Sequence, residues 1–316
     1  MALAIAKRVL LTIPILFGMS VMIFAIIRLV PGDPARVVLG IHATPELLAR
    51  MHHDMHLDEP IYVQYSQWLS GLTRGDLGLD YRAGQPISRL ILISLPITVE
   101  LVALALPLAV LIAVPLGTMG AIRRGRPTDA AAMGLSMLGI SVPDFWLGIM
   151  LILIFALWLR LLPTSGFVPL AEDPLGNLTH MILPAVTLAT GLAAVLVRVT
   201  RGAVLDVLQE DYIRFGRARG LSERNVIVKH ALRNAAIPIV TVVGLQAGYL
   251  FGGTVVIEQI FSLPGIGRMV LDATLSRNYP LVQAAVLMLG LMFVWTNLLV
   301  DLLYIWLNPR LRAAHN

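Results

Sequence analysis

The chain has 316 residues, of which 57% are hydrophobic and only 14% are charged, whereas about 25% of the residues of an average soluble domain are charged. With a mean hydropathy of +0.81, this composition excludes an ordinary soluble globular domain and indicates helices that face lipid. The absence of cysteine excludes a disulfide framework, a thiolate metal site and a cysteine nucleophile. The net charge of +5 lies in short loops between apolar stretches, which is typical of membrane topology and argues against nucleic-acid binding.

Apolar stretches long enough to cross a membrane, which takes about 20 residues, occur six times. They are Val9 to Ile27, Ile97 to Ile122, Ala130 to Leu159, Met181 to Val199, Ile237 to Ile257 and Leu281 to Leu307. The first exceeds a signal-peptide core and lacks a small-residue cleavage pattern, so we interpret it as a membrane helix. The third contains Pro143-Asp144 and should be kinked there or begin before the membrane. The predicted fold class is an all-α polytopic membrane protein with about six transmembrane helices.

The positions of lysine and arginine predict the orientation of these helices. Placing the N-terminus inside puts most of the basic residues on the cytoplasmic side, so both termini of this multi-pass protein are expected in the cytoplasm. Residues 1–30 then form the N-terminus and first helix, residues 31–96 an external segment, and residues 97–316 a five-helix core. The core contains a cytoplasmic loop at residues 201–236.

The external segment is too long for a simple connector, and we expect it to form a small cap on the membrane. The aromatic residues available on it are Tyr62, Tyr65, Trp68 and Tyr81. The cap could be a lid without a partner or a surface that meets one. The segment also contains His42, His52, His53 and His56, of which only His52 and His56 have a regular i, i+4 spacing. A transition-metal site and ordinary surface histidines both remain open.

The cytoplasmic loop predicts two helices at the membrane surface. Acidic and basic residues alternate from Asp206 to Ala218, and Gly220 ends that pattern, as glycine does after a helix. Ser222 is a plausible N-cap for a second helix from Glu223 to Ala235. The pair could be interfacial helices whose arginines meet lipid headgroups, or a docking surface for another protein.

Catalytic motifs are absent from the sequence. There is no G-x-x-x-x-G-K-[ST] phosphate loop, no H-E-x-x-H and no G-x-S-x-G, so the chain is not expected to hydrolyse ATP. Glu100 and Asp301 are ionisable residues within spans, but both lie near helix ends, which favours a structural role over proton coupling. Gly244, Gly248 and Gly252 form a small-residue row suited to close helix packing, either within the chain or at a dimer seam.

The loop sequence from Asp211 to Ser222, followed by His230 to Ala235 and Ile237-Pro238, resembles the coupling motif of bacterial ABC-importer permeases. The whole chain is similar to the first permease of the dipeptide, oligopeptide and nickel group. The further matching segments are Pro31 to Pro34, Leu57 to Pro60, Ser94 to Glu100, Val142 to Gly148, Leu162 to Gly166, Phe261 to Gly267, Arg277 to Gln283 and Asn308 to Arg312. The general motif begins Glu-Ala-Ala, whereas this chain has Arg214, Phe215 and Gly216 in those places.

The resemblance implies a type I importer permease fold, a second homologous permease, two cytoplasmic ATPases that carry ATP and magnesium, and an external substrate-binding protein. It assigns no cofactor to this chain. The residues implied in coupling are Asp211, Tyr212, Arg214, Phe215, Gly216, Arg217, Ala218, Gly220 and Leu221, with Arg214, Arg217 and Arg219 expected to face acidic ATPase or lipid groups. Tyr62, Tyr65, Trp68 and Tyr81 are implied in binding-protein docking. The implied substrate is a di- or oligopeptide; nickel or a metal chelate, or a gradient-driven carrier of a different class, are the alternatives.

Overall fold

The computed structural model describes residues 2–29, 33, 35–36, 43–54, 57–82 and 84–307. This part of the chain is helical, with only an isolated bridge between Leu79 and Pro86. The named helices are α1 (Ala2–Leu29), α2 (Pro45–Asp54), α3 (Ile61–Thr73), α4 (Ile87–Ile122), α5 (Pro127–Ser141), α6 (Asp144–Trp158), α7 (Pro174–Leu208), α8 (Asp211–Ala218), α9 (Glu223–Ile260), α10 (Ile266–Leu275) and α11 (Tyr279–Leu307).

The long apolar helices confirm the predicted fold class. Four of them, α4, α7, α9 and α11, are long and apolar enough to cross a membrane, and the bent pair of α5 and α6 is a fifth candidate. The first helix contains the shorter apolar stretch Leu10–Ile26. At 35 residues, α7 is about 50 Å long, so it extends beyond a hydrocarbon core of about 30 Å.

Helix α7 lies at the centre of the bundle. In its most apolar 18-residue stretch, 61% is buried, against 28% in the corresponding stretch of α11. Helix α7 packs along α4 and also contacts α5, α6 and α9. Small residues allow this close approach. A Cβ at Gly117 of α4 would lie 2.7 Å from the carbonyl oxygen of Val197, and one at Gly139 of α5 would lie 2.8 Å from the Cβ of Ala194.

The expected kink in the third apolar stretch is a sharp bend. Helices α5 and α6 meet at 101° across Val142 and Pro143. Pro143 has no N–H to continue the helix, and the residue before a proline is forced out of the helical region. Val142 is accordingly extended, with φ −82° and ψ 121°.

The prediction of a separate helix from Glu223 to Ala235 is wrong. The structure has one continuous helix, α9, from Glu223 to Ile260, with a π-helical stretch at Val226–Ala231. Pro238 lies inside it and does not end it, because neighbouring helices and local adjustments can satisfy the backbone group that a proline leaves free in a membrane helix. The helix begins directly after Ser222, as expected, but the Ser222 side chain makes no capping hydrogen bond.

The glycine row of α9 packs mainly within the chain. A Cβ at Gly244 or Gly248 would collide with Val300 or Phe293 of α11, whereas Gly252 has no neighbouring atom within 4 Å. The first two glycines therefore allow α9 and α11 to approach closely.

Candidate functional site

The segment between α7 and α9 contains the predicted coupling residues. Helix α7 ends at Leu208, and the short helix α8 follows from Asp211 to Ala218. The alternating charges from Asp206 to Ala218 predicted one helix, but the structure interrupts it at Gln209-Glu210. Gly220 then reverses the chain with φ +82°, a left-handed conformation that strains any residue with a Cβ. Two backbone hydrogen bonds close the turn, from Gly220 N–H to Arg217 and from Leu221 N–H to Gly216.

Helix α8 is held against the bundle by one buried side chain and a few polar contacts. Ile213 is only 2% exposed, and Asn234 of α9 donates a hydrogen bond of 2.7 Å to the Tyr212 hydroxyl. Arg217 makes a two-pronged ion pair with Glu223, at 2.8 and 3.2 Å. Arg217 is therefore occupied within the chain, although it was expected to face a partner or lipid.

The outer face of α8 exposes aromatic and aliphatic groups. Phe215 is 63% exposed, and Tyr212 and Leu221 are also exposed. They line a groove of about 430 Å³ together with Arg219, Val226 and His230. Arg219 lies over the Phe215 ring, 5.7 Å from its centroid, while Arg214 lies 3.5 Å from Asp211. An exposed apolar groove with arginines beside it is suited to contact with another protein.

At the same end of the bundle, an ion pair braces the connection between α4 and α5 against α7. Arg201 of α7 donates two hydrogen bonds, of 2.5 and 2.7 Å, to the carboxylate of the buried Asp129. The N–H of Gly125 donates a further hydrogen bond of 3.0 Å to Asp129. The sequence reasoning missed this pair, since nothing in one sequence links residues 72 positions apart.

The opposite end of the bundle contains a fully buried carboxyl group that the sequence reasoning also missed. Glu258 of α9 is 0% exposed and accepts hydrogen bonds from the Thr98 hydroxyl at 2.7 Å and from the Arg268 N–H at 2.9 Å. The Thr98 hydroxyl in turn accepts from the Ile266 N–H at 2.8 Å. The Glu258 carboxyl thus caps the first turn of α10 and joins it to α4 and α9.

Two segments that resemble the permease family, Ser94 to Glu100 and Phe261 to Gly267, were the feature of the sequence that could have pointed to this network. The structure brings both segments together around the Glu258 carboxyl. A Cβ at Gly265 would lie 2.4 Å from the Glu258 side chain, which explains the glycine. Of the two acids proposed from the sequence, Glu100 is only partly buried in α4 and takes no part in this network. The side chain of Asp301 lies outside the described residues.

The four aromatic residues of the cap are not equivalent. Tyr65 and Trp68 of α3 pack against Phe24 of α1, with ring centroids 5.3 and 5.7 Å apart, and the Tyr65 hydroxyl is 2.8 Å from that of Ser20. These two side chains therefore fasten the cap to α1. Tyr62 is 72% exposed, and Tyr81 lines a cavity beside Arg277 and Asn278.

The histidines do not converge on one point in the part of the chain that the structure describes. His52 lies 2.9 Å from Asp33 and His53 is exposed, while His42 and His56 lie outside the described residues. Burial alone would raise the pKa of Asp33, but hydrogen bonds from His52 and the Ala35 N–H outweigh it and lower the pKa. Among the described residues, no three His, Cys, Asp or Glu side chains are grouped to hold a metal.

Comparison with known proteins identifies the architecture. Residues 1–102 match the N-terminal family model of binding-protein-dependent transport system membrane components, and residues 113–313 match the model of the inner membrane component itself. The chain is 42% identical over 312 residues to a putative peptide transport system permease protein of Brucella abortus, covering 99% of each. It is 40% identical to the dipeptide transport system permease protein DppB of Escherichia coli K12, covering 98% of each chain, and 40% identical to the glutathione transport system permease protein GsiC of another Escherichia coli strain, again covering 98% of each.

Solved structures agree on the fold. The inward-facing MetNI methionine ABC transporter gives a TM-score of 0.58 at 15% identity, over 69% of this chain and 96% of that chain. An amino acid ABC transporter solved with histidines gives 0.53 at 14% identity, over 69% and 94%. Fold and sequence together define a multi-pass membrane permease subunit of an ABC transporter. The chain belongs to the family of binding-protein-dependent transport system inner membrane components.

Proposed function

We propose that this chain is one of two homologous permeases of an ATP-driven importer of di- and oligopeptides, to which an external binding protein delivers the substrate. The observation that carries the proposal is α8 with its exposed groove, set between two long helices of the core. The peptide, dipeptide and glutathione permeases that share 40 to 42% of their residues with nearly the whole chain support the substrate class.

In this proposal, α8 docks into a cleft on a cytoplasmic ATPase. Phe215 and Leu221 supply the apolar contacts, with Tyr212 beside them, and Arg214 and Arg219 supply charge. Gly216 keeps the turn compact, because a Cβ there would lie 3.2 Å from Leu221. Asp211, Ala218 and Gly220 set the ends of the helix and its turn, and the ion pair between Arg217 and Glu223 fixes the turn's shape.

Closure of the ATPase dimer then moves α8, and α7 and α9 carry the movement into the bundle. The ion pair between Arg201 and Asp129 passes it on to α4 and α5. The bundle rocks between inward- and outward-facing states, as alternating access requires, and the substrate acts through its different affinity for the two states. ATP and magnesium bind to the ATPases, and this chain performs no hydrolysis of its own.

The same proposal places the α8 end and both termini in the cytoplasm, and the cap of residues 31–96 on the external side. The core of residues 97–316, with its loop at 201–236, pairs with a second permease. The shallow burial of α11 supports such a contact, since part of its surface is left for lipid or a partner. Tyr62 and Tyr81 are the cap aromatics best placed to meet the binding protein.

The test is co-purification of the ATPase subunits with the tagged chain, expressed with its partner subunits. Phe215→Asp places a charge in the groove and should remove the ATPases from the purified complex while leaving the amount of membrane-inserted permease unchanged. Leu170→Asp is the matched control, because Leu170 is similarly exposed, at 55%, but lies in the loop before α7. Full co-purification and full uptake of a labelled dipeptide with Phe215→Asp would overturn the docking role of α8.

A further inference from the structure

The end of the bundle opposite α8 has a cleft whose walls are joined by a buried hydrogen bond. The Asn278 side chain donates a hydrogen bond to the carboxylate of Asp80, linking the start of α11 to the turn before α4. Both residues are buried. The bond connects the cap to the core across 198 positions of sequence.

Two arginines stand on either side of this bond. Arg82 follows Asp80 by two residues, and the backbone N–H of Arg82 donates a 3.0 Å hydrogen bond to the Asp80 side chain. Arg277 precedes Asn278 directly and has a left-handed backbone with φ 53°. The positions of both arginines are therefore set by backbone that the Asp80–Asn278 bond holds together.

The cleft between them is large and open to solvent. One cavity of about 630 Å³ is lined by Tyr81, Arg82, Asp272, Leu275, Ser276, Arg277 and Asn278. A second of about 490 Å³ adjoins it along α10 and the first turns of α4. The two share four lining residues, Arg82, Asp272, Ser276 and Asn278, so they form one continuous recess.

The charges around the recess leave a positive surplus. Arg268 lies 3.6 Å from Asp272 and neutralises it, and the Asp80 carboxylate is buried against Asn278 and the Arg82 backbone. Arg82 and Arg277 are both exposed, and neither forms an ion pair within the residues that the structure describes. Two exposed guanidinium groups at the rim of a polar recess are suited to carboxylates, which arginine binds through paired hydrogen bonds.

We infer that this recess is the docking site for acidic side chains that project from the external binding protein, an inference that rests on the proposed function. The recess is open to solvent between the cap turn and α10, and only the first turns of α4 and α11 reach its wall, so it fits a protein protrusion better than a solute in transit. Because α10 is held at its first turn by the buried Glu258, docking here would act on a wall that is fixed to α4 and α9.

The test is ATP hydrolysis by the complete transporter in liposomes, measured against the concentration of its binding protein at several salt concentrations. With Arg82→Glu and Arg277→Glu together, the concentration giving half-maximal stimulation should rise by at least about tenfold at low salt, and added salt should lower it instead of raising it, because the substitutions turn attraction into repulsion. The maximal and the unstimulated rates should stay at the wild-type values. Arg74→Glu, at an exposed arginine just after α3, is the matched control and should behave as wild type.

Lysine at both positions keeps the charge but not the paired hydrogen bonds, so the half-maximal concentration should lie between those of the wild type and the double glutamate variant. Wild-type stimulation with an unchanged half-maximal concentration in the double glutamate variant would overturn the docking inference alone. A wild-type transporter that its binding protein does not stimulate would overturn the proposed function, and this inference with it.

Discussion

The two ends of the helix bundle are built differently. At one end, α8 is held by a single buried side chain, Ile213, and by partly exposed polar contacts such as the ion pair between Arg217 and Glu223. At the other end, the carboxyl of Glu258 is completely buried and hydrogen-bonded to α4 and α10. The difference fits the proposed docking of α8 on an ATPase, and it makes the network around Glu258 a fixed joint between α4, α9 and α10.

The largest effect on stability is expected at the fixed joint. Glu258→Ala leaves the Thr98 hydroxyl and the Arg268 N–H without their buried acceptor and opens a cavity, so it should lower the free energy of unfolding by about 3 kcal/mol. Thermal unfolding of the purified protein in detergent measures this. Glu210→Ala, at an exposed acid just before α8, should change stability by less than about 0.5 kcal/mol. Equal melting temperatures for the two variants would show that the network contributes little.

A smaller loss is expected at the ion pair between Arg201 of α7 and Asp129 of α5. Asp129→Asn removes the charge that Arg201 pairs with and should cost about 2 kcal/mol, because the pair is partly buried and two-pronged. A double-mutant cycle with Arg201→Gln should show a coupling energy above about 1 kcal/mol. Additive effects would mean that the pair does not act as a unit. If the pair also transmits movement, both variants should take up less peptide for each ATP hydrolysed.

The smallest stability change, with a large functional one, is expected at the turn after α8. Gly220→Leu forces a side chain into a left-handed backbone at a cost of about 1–2 kcal/mol, and the protein should still reach the membrane. Uptake of a labelled dipeptide should fall to background because the turn no longer presents α8 correctly. Gly202→Ala is the control, since a Cβ at this position in α7 meets no atom within 4 Å. Full uptake with Gly220→Leu would contradict the role of the turn.

Local signals account for the features that were predicted correctly. Apolar length identified the helices, Pro143 marked the bend between α5 and α6, and Gly220 marked the turn after α8, because each effect depends on neighbouring residues alone. The same kind of reasoning failed at Ala235, where it ended a helix that continues through Pro238 to Ile260. There the tertiary environment allows the proline to remain inside α9, and the local rule does not apply.

Pairings across the chain could not be derived from local signals. Glu258 meets Thr98 across 160 positions, and Asp80 meets Asn278 across 198. Tyr65 and Trp68, expected as a docking surface, prove to face α1. The spacing of residues along a sequence shows which face of a helix each side chain occupies, but it does not show which other element covers that face.

The sequence by itself therefore determined the membrane class, the order of the long helices and the position of the α8 segment, because composition, apolar length and turn residues act locally. Only the tertiary structure decided which carboxyl groups are buried, with hydrogen bonds at Glu258 and an ion pair at Asp129, and which arginines are left exposed around the recess. The physical reason is that the free energy of a charged group depends on the partners and solvent that folding brings to it.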